Sequence, residues 1–296
     1  MTPPLPGPLP GGEREKNEHT RFERVRVALE QATVAGGWRS HLYEFLLFGF
    51  KQGWACLFGA LMLALLVATH LFYPRGIWLP RYDFLTLAAL AIQLGMLRFR
   101  LETWDEAKVI LAFHVAGTVM ELFKTAWGSW LYPEAAFLRI GGVPLFSGFM
   151  YAAVGSYIAR TWRIFEIRFS HYPPLWTTWL LAAAIYVNFF AHHWLPDVRW
   201  PLLAATALIF RRARFWFRPF RAYRAMPVLL GFLLVALFIW LAENIGTLSQ
   251  AWIYPNQRHG WAMVPLAKLV SWYLLMIISV VLVSLVNKPQ PIAKAD

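Results

Sequence analysis

Two glutamates stand at the head of two copies of one pattern. The first copy reads Glu121-Leu-Phe-Lys-Thr125-Ala-Trp-Gly-Ser-Trp130-Leu-Tyr132-Pro133, and the second reads Glu243-Asn-Ile-Gly-Thr247-Leu-Ser-Gln-Ala-Trp252-Ile-Tyr254-Pro255. Glu, Thr, Trp, Tyr and Pro fall at equal offsets in both. A carboxyl in a low-dielectric site keeps its proton more readily than one in water and can deliver it near neutral pH. Protonating a carbon–carbon double bond leaves a cation, and Trp and Tyr faces stabilise cations by about 0.5–2 kcal/mol each. A glutamate with repeated aromatic neighbours therefore suits hydration, cyclisation or isomerisation of a polyene, with Glu121 and Glu243 as the catalytic pair.

Other residues extend the two copies. Each runs on to Val-Pro-Leu, at Val143-Pro144-Leu145 and Val264-Pro265-Leu266, and Tyr151 and Trp272 then stand seven residues after the two prolines. With Trp130, Tyr132, Trp252 and Tyr254 they are expected to line a pocket for a ligand; scattered, the same aromatic residues would read as an interfacial belt. His114, Thr118, Glu121 and Thr125 are spaced four, three and four, so they share one helical face. His114 is then either a proton-transfer group or a core histidine. Glu243, Asn244 and Thr247 give the second copy a shorter polar patch. Lys124, three residues after Glu121, predicts an ion pair with it, and Lys268 is placed to reach Glu243. His114, Lys124, Lys268, Thr125 and Thr247 join the ligand-binding set. The histidines show no His-x-x-x-His or Glu-x-x-His spacing, so no metal site is expected, and nothing in the sequence points to a cofactor.

The elements that must carry these residues are apolar. Of 296 residues 58% are hydrophobic and 15% charged, against about 25% charged in soluble domains. The formal charge of +12 comes in short basic clusters between apolar blocks, which argues for cytoplasmic loops and against nucleic acid. Eight apolar segments are expected as membrane helices, near 47–72, 83–99, 106–127, 142–162, 175–194, 199–212, 227–247 and 263–286. Taking alternate connections as one side leaves Arg75, Arg81, Arg139, Arg199 and Arg258 outside and places most of the 28 basic residues inside, with both termini cytoplasmic. The expected fold is all-α. Residues 1–44 form an N-terminal segment with an amphipathic helix within 13–34 and no signal peptide, 45–162 a first four-helix repeat, 163–286 a second, and 287–296 a cytoplasmic tail. Two even repeats insert in the same sense, and sites in such folds lie at the repeat interface. The single cysteine, Cys56, excludes an intramolecular disulfide.

Phe45 to Val286 resembles the YoaT-like bacterial integral membrane family, a family of unknown function. The resemblance is carried by Leu-Phe-Gly-Phe-Lys-Gln-Gly-Trp-Ala-Cys (47–56), Gly-Gly-Val-Pro-Leu-Phe-Ser-Gly-Phe-Met-Tyr (141–151) and Ala-Glu-Asn-Ile-Gly-Thr (242–247). It implies a multi-pass protein of the bacterial inner membrane and no known activity. Glu-x-Ile-Gly-Thr, the following Tyr and Val-Pro-Leu are also similar to motifs of membrane carotenoid hydratases and small lycopene cyclases, which implies an isoprenoid ligand. The cyclases place an acidic residue soon after Pro-Leu, where this chain has Phe146-Ser147 and Ala267-Lys268. The leading expectation is a membrane protein that binds or modifies a lipophilic, isoprenoid-like molecule between two repeats. The alternative is a transporter or channel for a small solute or ion, using the polar stripe as a path; a structural or sensory role stays open beside both.

Overall fold

The computed structural model describes residues 38–74 and 76–292. The chain divides into two compact units, residues 1–50 and 51–296. The amphipathic segment expected within 13–34 lies outside the described residues, as do Arg75 and the last four residues of the tail.

Nine α-helices are formed by the described residues. They are α1 (Trp38–Ala55), α2 (Leu57–Phe72), α3 (Arg81–Arg98), α4 (Trp104–Ala126), α5 (Phe146–Ile164), α6 (Leu175–Ala191), α7 (Arg199–Phe210), α8 (Val228–Leu248) and α9 (Ala267–Val286). Helices α2 to α9 fall on the eight apolar segments. Prolines set several starts: Pro80, Pro174 and Pro227 precede α3, α6 and α8 in extended conformation, where a missing N–H costs nothing. Thr103 starts α4 through a capping box, its hydroxyl taking the Glu106 N–H and the Glu106 carboxylate taking its own.

The first apolar segment is broken rather than continuous. The Arg160 guanidinium donates to the Trp54 carbonyl at 2.7 Å, and the helix restarts after Cys56. A side chain that captures a ladder carbonyl is a known cause of such interruptions. Three helices, α4, α8 and α9, are long and apolar enough to cross a membrane, or four spans if α1 and α2 count as one. Helices α6 and α7 have 17 and 12 residues; at about 1.5 Å per residue the second reaches only about 18 Å.

The fold is mostly helical, and two small sheets accompany the helices among the described residues. Strands β1 (Arg139–Ile140) and β2 (Val143–Pro144) make a hairpin. Strands β3 (Arg168–Ser170), β4 (Arg214–Phe217) and β5 (Arg224–Pro227) form an antiparallel sheet inside what reads as basic loops. The alternation in Arg214-Phe-Trp-Phe turns Phe215 onto Phe232, and Gly231 leaves room for its ring. Tail residues Gln290 to Ile292 run parallel to β3 through hydrogen bonds with Phe169.

Helix α9 packs against α4, α5, α6, α7 and α8, and α4 lies closest along α5. Small residues permit that approach. A Cβ on Gly117 of α4 would meet the Tyr151 ring at 2.5 Å, and Gly148 and Gly155 of α5 face His114 and Phe113. In lipid this packing, rather than the hydrophobic effect, drives helix association.

Candidate functional site

The two motifs meet. Leu131 and Ile253 exchange backbone hydrogen bonds, each N–H to the other's carbonyl at 2.9 Å. This one bridge sets Trp130 and Tyr132 against Trp252 and Tyr254, and the four join Trp240, Phe189, Val264, Leu269 and Trp272 in one cluster. Asn244, beside Glu243, holds the following loop by accepting the Val264 N–H at 2.9 Å.

Each glutamate lies in the last two turns of its helix, Glu121 in α4 and Glu243 in α8, inside a shell of aromatic donors, and both are buried. Glu121 Oε2 accepts from Trp130 Nε1 and from the Tyr132 hydroxyl, both at 2.6 Å; its Oε1 accepts from the Tyr151 hydroxyl at 2.7 Å. Glu243 Oε2 accepts from Trp272 Nε1 at 2.7 Å, and its Oε1 from the Tyr254 hydroxyl. Indole N–H only donates, so Oε2 of each glutamate serves as an acceptor. A hydroxyl can also accept, so a proton fits at Oε1 of either glutamate. Burial, then the adjacent carboxylate, pushes the Tyr132 and Tyr254 hydroxyls well up, which keeps them protonated donors.

The lysines are placed otherwise than the spacing predicts. Among the described residues, no carboxylate lies within ion-pair distance of Lys124 or Lys268. Lys124 is buried and leans toward α6, meeting His193 Nε2 at 2.9 Å and His192 Nε2 at 3.2 Å, with the Phe189 ring at 4.4 Å. His192 Nδ1 lies 2.9 Å from the Asn188 carbonyl and must donate to it, so its Nε2 accepts from the ammonium. Lys268 rests on aromatic faces, 4.5 Å from the Tyr254 ring and 5.3 Å from that of Trp130.

Two cavities flank this cluster. A narrow apolar slot of about 30 Å³ runs between α4, α5, α6, α8 and α9, walled at one end by Tyr151 and Trp272. A second, of about 140 Å³, is lined by Lys124, Lys268, Arg199, His192, Trp130 and Phe189 among others. Leu275 borders both. Neither glutamate lines either cavity.

Other expected site residues stay apart. His114 lines neither cavity, and its ring lies against Phe149 and the Gly148 backbone. Thr118 donates to the His114 carbonyl, and the buried Thr125 hydroxyl has no partner among the described residues. Thr247 donates to the Asn244 carbonyl and accepts from Trp261. Trp252 stacks over Gly246 instead of reaching Glu243. No group of three or more His, Cys, Asp or Glu among the described residues is placed to hold a metal ion.

Sequence reasoning missed a buried polar knot near the other ends of α4 and α5. Glu102 accepts from Gln93 and Ser156, both at 2.5 Å, and Arg160 lies beside it at 3.9 Å, fully buried. It also missed Arg81, which pairs with Glu134 and donates to the Ser249 carbonyl at the end of α8. These partners are far apart in sequence and carry no spacing signal.

The family model described as "Protein of unknown function (DUF817)" matches residues 44–280. The chain belongs to that family. Within DUF817, it is 44% identical over 251 residues to a Bacillus subtilis (strain 168) protein described as "Uncharacterized protein YoaT", an alignment that covers 84% of this chain and 94% of the relative. No solved structure matches. The shorter likeness to carotenoid hydratases and lycopene cyclases gains no support from either match.

Proposed function

We propose that this DUF817 protein is a multi-pass membrane protein, built as two four-helix repeats with both termini cytoplasmic, that binds a lipophilic molecule between the repeats. The observation that carries the reading is the pair Tyr151 and Trp272 at the apolar slot, which at about 30 Å³ must widen to admit a chain. These residues stand at matching places after Pro144 and Pro265, and each is held by one of the two glutamates. Glu121 and Glu243 thus act first as positioning residues that fix the aromatic end wall. Acid catalysis would use the proton site at Oε1 of Glu121, which reaches the slot through the Tyr151 hydroxyl. Transport along the polar stripe has less support, because Thr118 spends its hydroxyl on its own helix and His114 lines neither cavity.

The test is extraction of the purified protein with organic solvent followed by mass spectrometry. One lipophilic species should be enriched in wild type. It should vanish in Ala116→Phe, which fills the slot from its rim, while that variant stays monodisperse. Identical extracts from the two would overturn the reading.

A further inference from the structure

Six arginines and no acidic residue stand between positions 211 and 227. Arg218 pairs with Glu166. Arg211, Arg212 and Arg214 have no carboxylate within ion-pair distance among the described residues. All three are exposed, just past the end of α7. The sheet extends the group. Arg168 stands opposite Trp216 and Ser170 opposite Arg214, so these four share one face while Phe169 and Phe215 turn to the core. Trp216 Nε1 donates to the Ser170 hydroxyl at 3.0 Å, which fixes the indole on that face. The surface at this end of the helices is therefore basic and aromatic, complementary to an anion.

The adjoining helices narrow the partner. Trp200, Ala204, Leu208 and Arg212 recur every four residues, so they share one side of α7, and all four are exposed. Leu230 is exposed in the first turn of α8, which is tied to the same place by the Val228 N–H donating to the Ala213 carbonyl at 3.1 Å. An apolar stripe that ends in arginines fits a molecule with a chain and an acidic head. A soluble polyanion would use the arginines and leave the stripe bare. Length points the same way. The 12 residues of α7 reach about 18 Å, against a hydrocarbon core of about 30 Å. With Arg199 at the cavity beside Lys124 and Lys268, Arg211 and Arg212 fall short of the opposite surface. Head groups drawn inward and snorkelling side chains close such a gap, and the planar guanidinium fork matches a phosphate. We infer that the cytoplasmic end of α7 holds an anionic phospholipid. Its phosphate lies among Arg211, Arg212 and Arg214, and an acyl chain follows Leu208, Ala204 and Trp200. This site is separate from the one between the repeats and rests only on the membrane orientation proposed above.

Native mass spectrometry of the full chain in neutral detergent counts bound lipid while phosphatidylglycerol and phosphatidylcholine with the same acyl chains compete. Phosphatidylglycerol should be preferred by at least about fivefold, the contribution of one arginine near an anionic surface. Arg211→Gln with Arg212→Gln should reduce that preference by at least about fivefold. Arg98→Gln with Arg100→Gln, which removes two exposed arginines at the end of α3, should leave it unchanged. Leu208→Ser touches only the chain and should weaken both lipids alike. Glycerol 3-phosphate, the head without its chains, should displace neither. An equal loss in the α3 variant would make the preference a matter of net charge and overturn the site. Displacement of phosphatidylglycerol by glycerol 3-phosphate would leave an anion site and overturn the lipid, and equal binding of the two lipids by wild type would overturn it directly. Each of these leaves the molecule between the repeats standing, because the solvent extract of Ala116→Phe reads that site separately. Binding of neither lipid would overturn the site together with the membrane reading on which it rests.

Discussion

At the scale of single residues, the donors around Glu121 make a sharp distinction between two substitutions. In Glu121→Gln the amide oxygen can still take Trp130 and Tyr132, and the Tyr151 hydroxyl can turn to accept from the new NH₂. Only charge assistance is lost, so the variant should be destabilised by about 1–2 kcal/mol. Glu121→Ala leaves three buried donors without acceptors, each costing about 1–3 kcal/mol, and should lose at least twice as much. Thermal melting in neutral detergent measures both; equal losses would mean the shell does not hold the carboxylate. Lys124 has no part in that difference, since it rests on His192 and His193. Burial, then the Lys124 ammonium and His192, hold His193 below its ordinary range. Between that lowered value and the unfolded value near 6.5, the unfolded chain binds more protons. This contribution to stability is therefore complete above pH of about 6.5 and is lost as pH falls. The melting temperature should drop on acidification toward pH of about 5, and His193→Gln should flatten that slope. An unchanged slope in the variant would remove His193 as its source.

At the scale of elements, the close approach of α4 to α5 depends on a missing side chain. Gly117 lets the Tyr151 ring lie against α4 with its hydroxyl on Glu121. Gly117→Ala should force the ring aside, with an overpacking cost of about 1–3 kcal/mol and loss of the ligand enriched in wild type; retention of both would show that the contact is loose. The elements themselves were largely legible. Long apolar runs and prolines placed α3 to α9 within a few residues, since a helix satisfies its own backbone along such a run. What stayed hidden depends on neighbours that sequence spacing does not name. The break at Cys56 needs Arg160 from α5. The sheet of β3, β4 and β5 hides in short basic stretches where four alternating residues are too few to read. Lys124 shares a helical face with Glu121, but spacing cannot say that α6 brings two histidines nearer. The repeated Glu, Trp and Tyr were visible as a pattern, and their aromatic shell follows from it; the basic cavity lies where the pattern fails.

At the scale of the whole molecule, the proposed site requires that the two motif copies, more than a hundred residues apart in sequence, lie side by side. The bridge between Leu131 and Ile253 is the place to test it. A pair that exchanges both hydrogen bonds in antiparallel fashion has its Cα atoms roughly 5.5 Å apart, within the range a disulfide spans. In a Cys56→Ser background, Leu131→Cys with Ile253→Cys should cross-link under mild oxidation in native membranes. A protease site inserted between α5 and β3 would then leave the two fragments joined until reductant is added. Either cysteine alone should give no such product, which separates the internal bond from one between copies. The basic-residue asymmetry predicts that this loop faces the cytoplasm, so cleavage should require opened or inverted vesicles. Fragments that separate without reductant would part the two glutamates, leave the slot and the basic cavity without their common wall, and end the reading of a single site shared by two repeats.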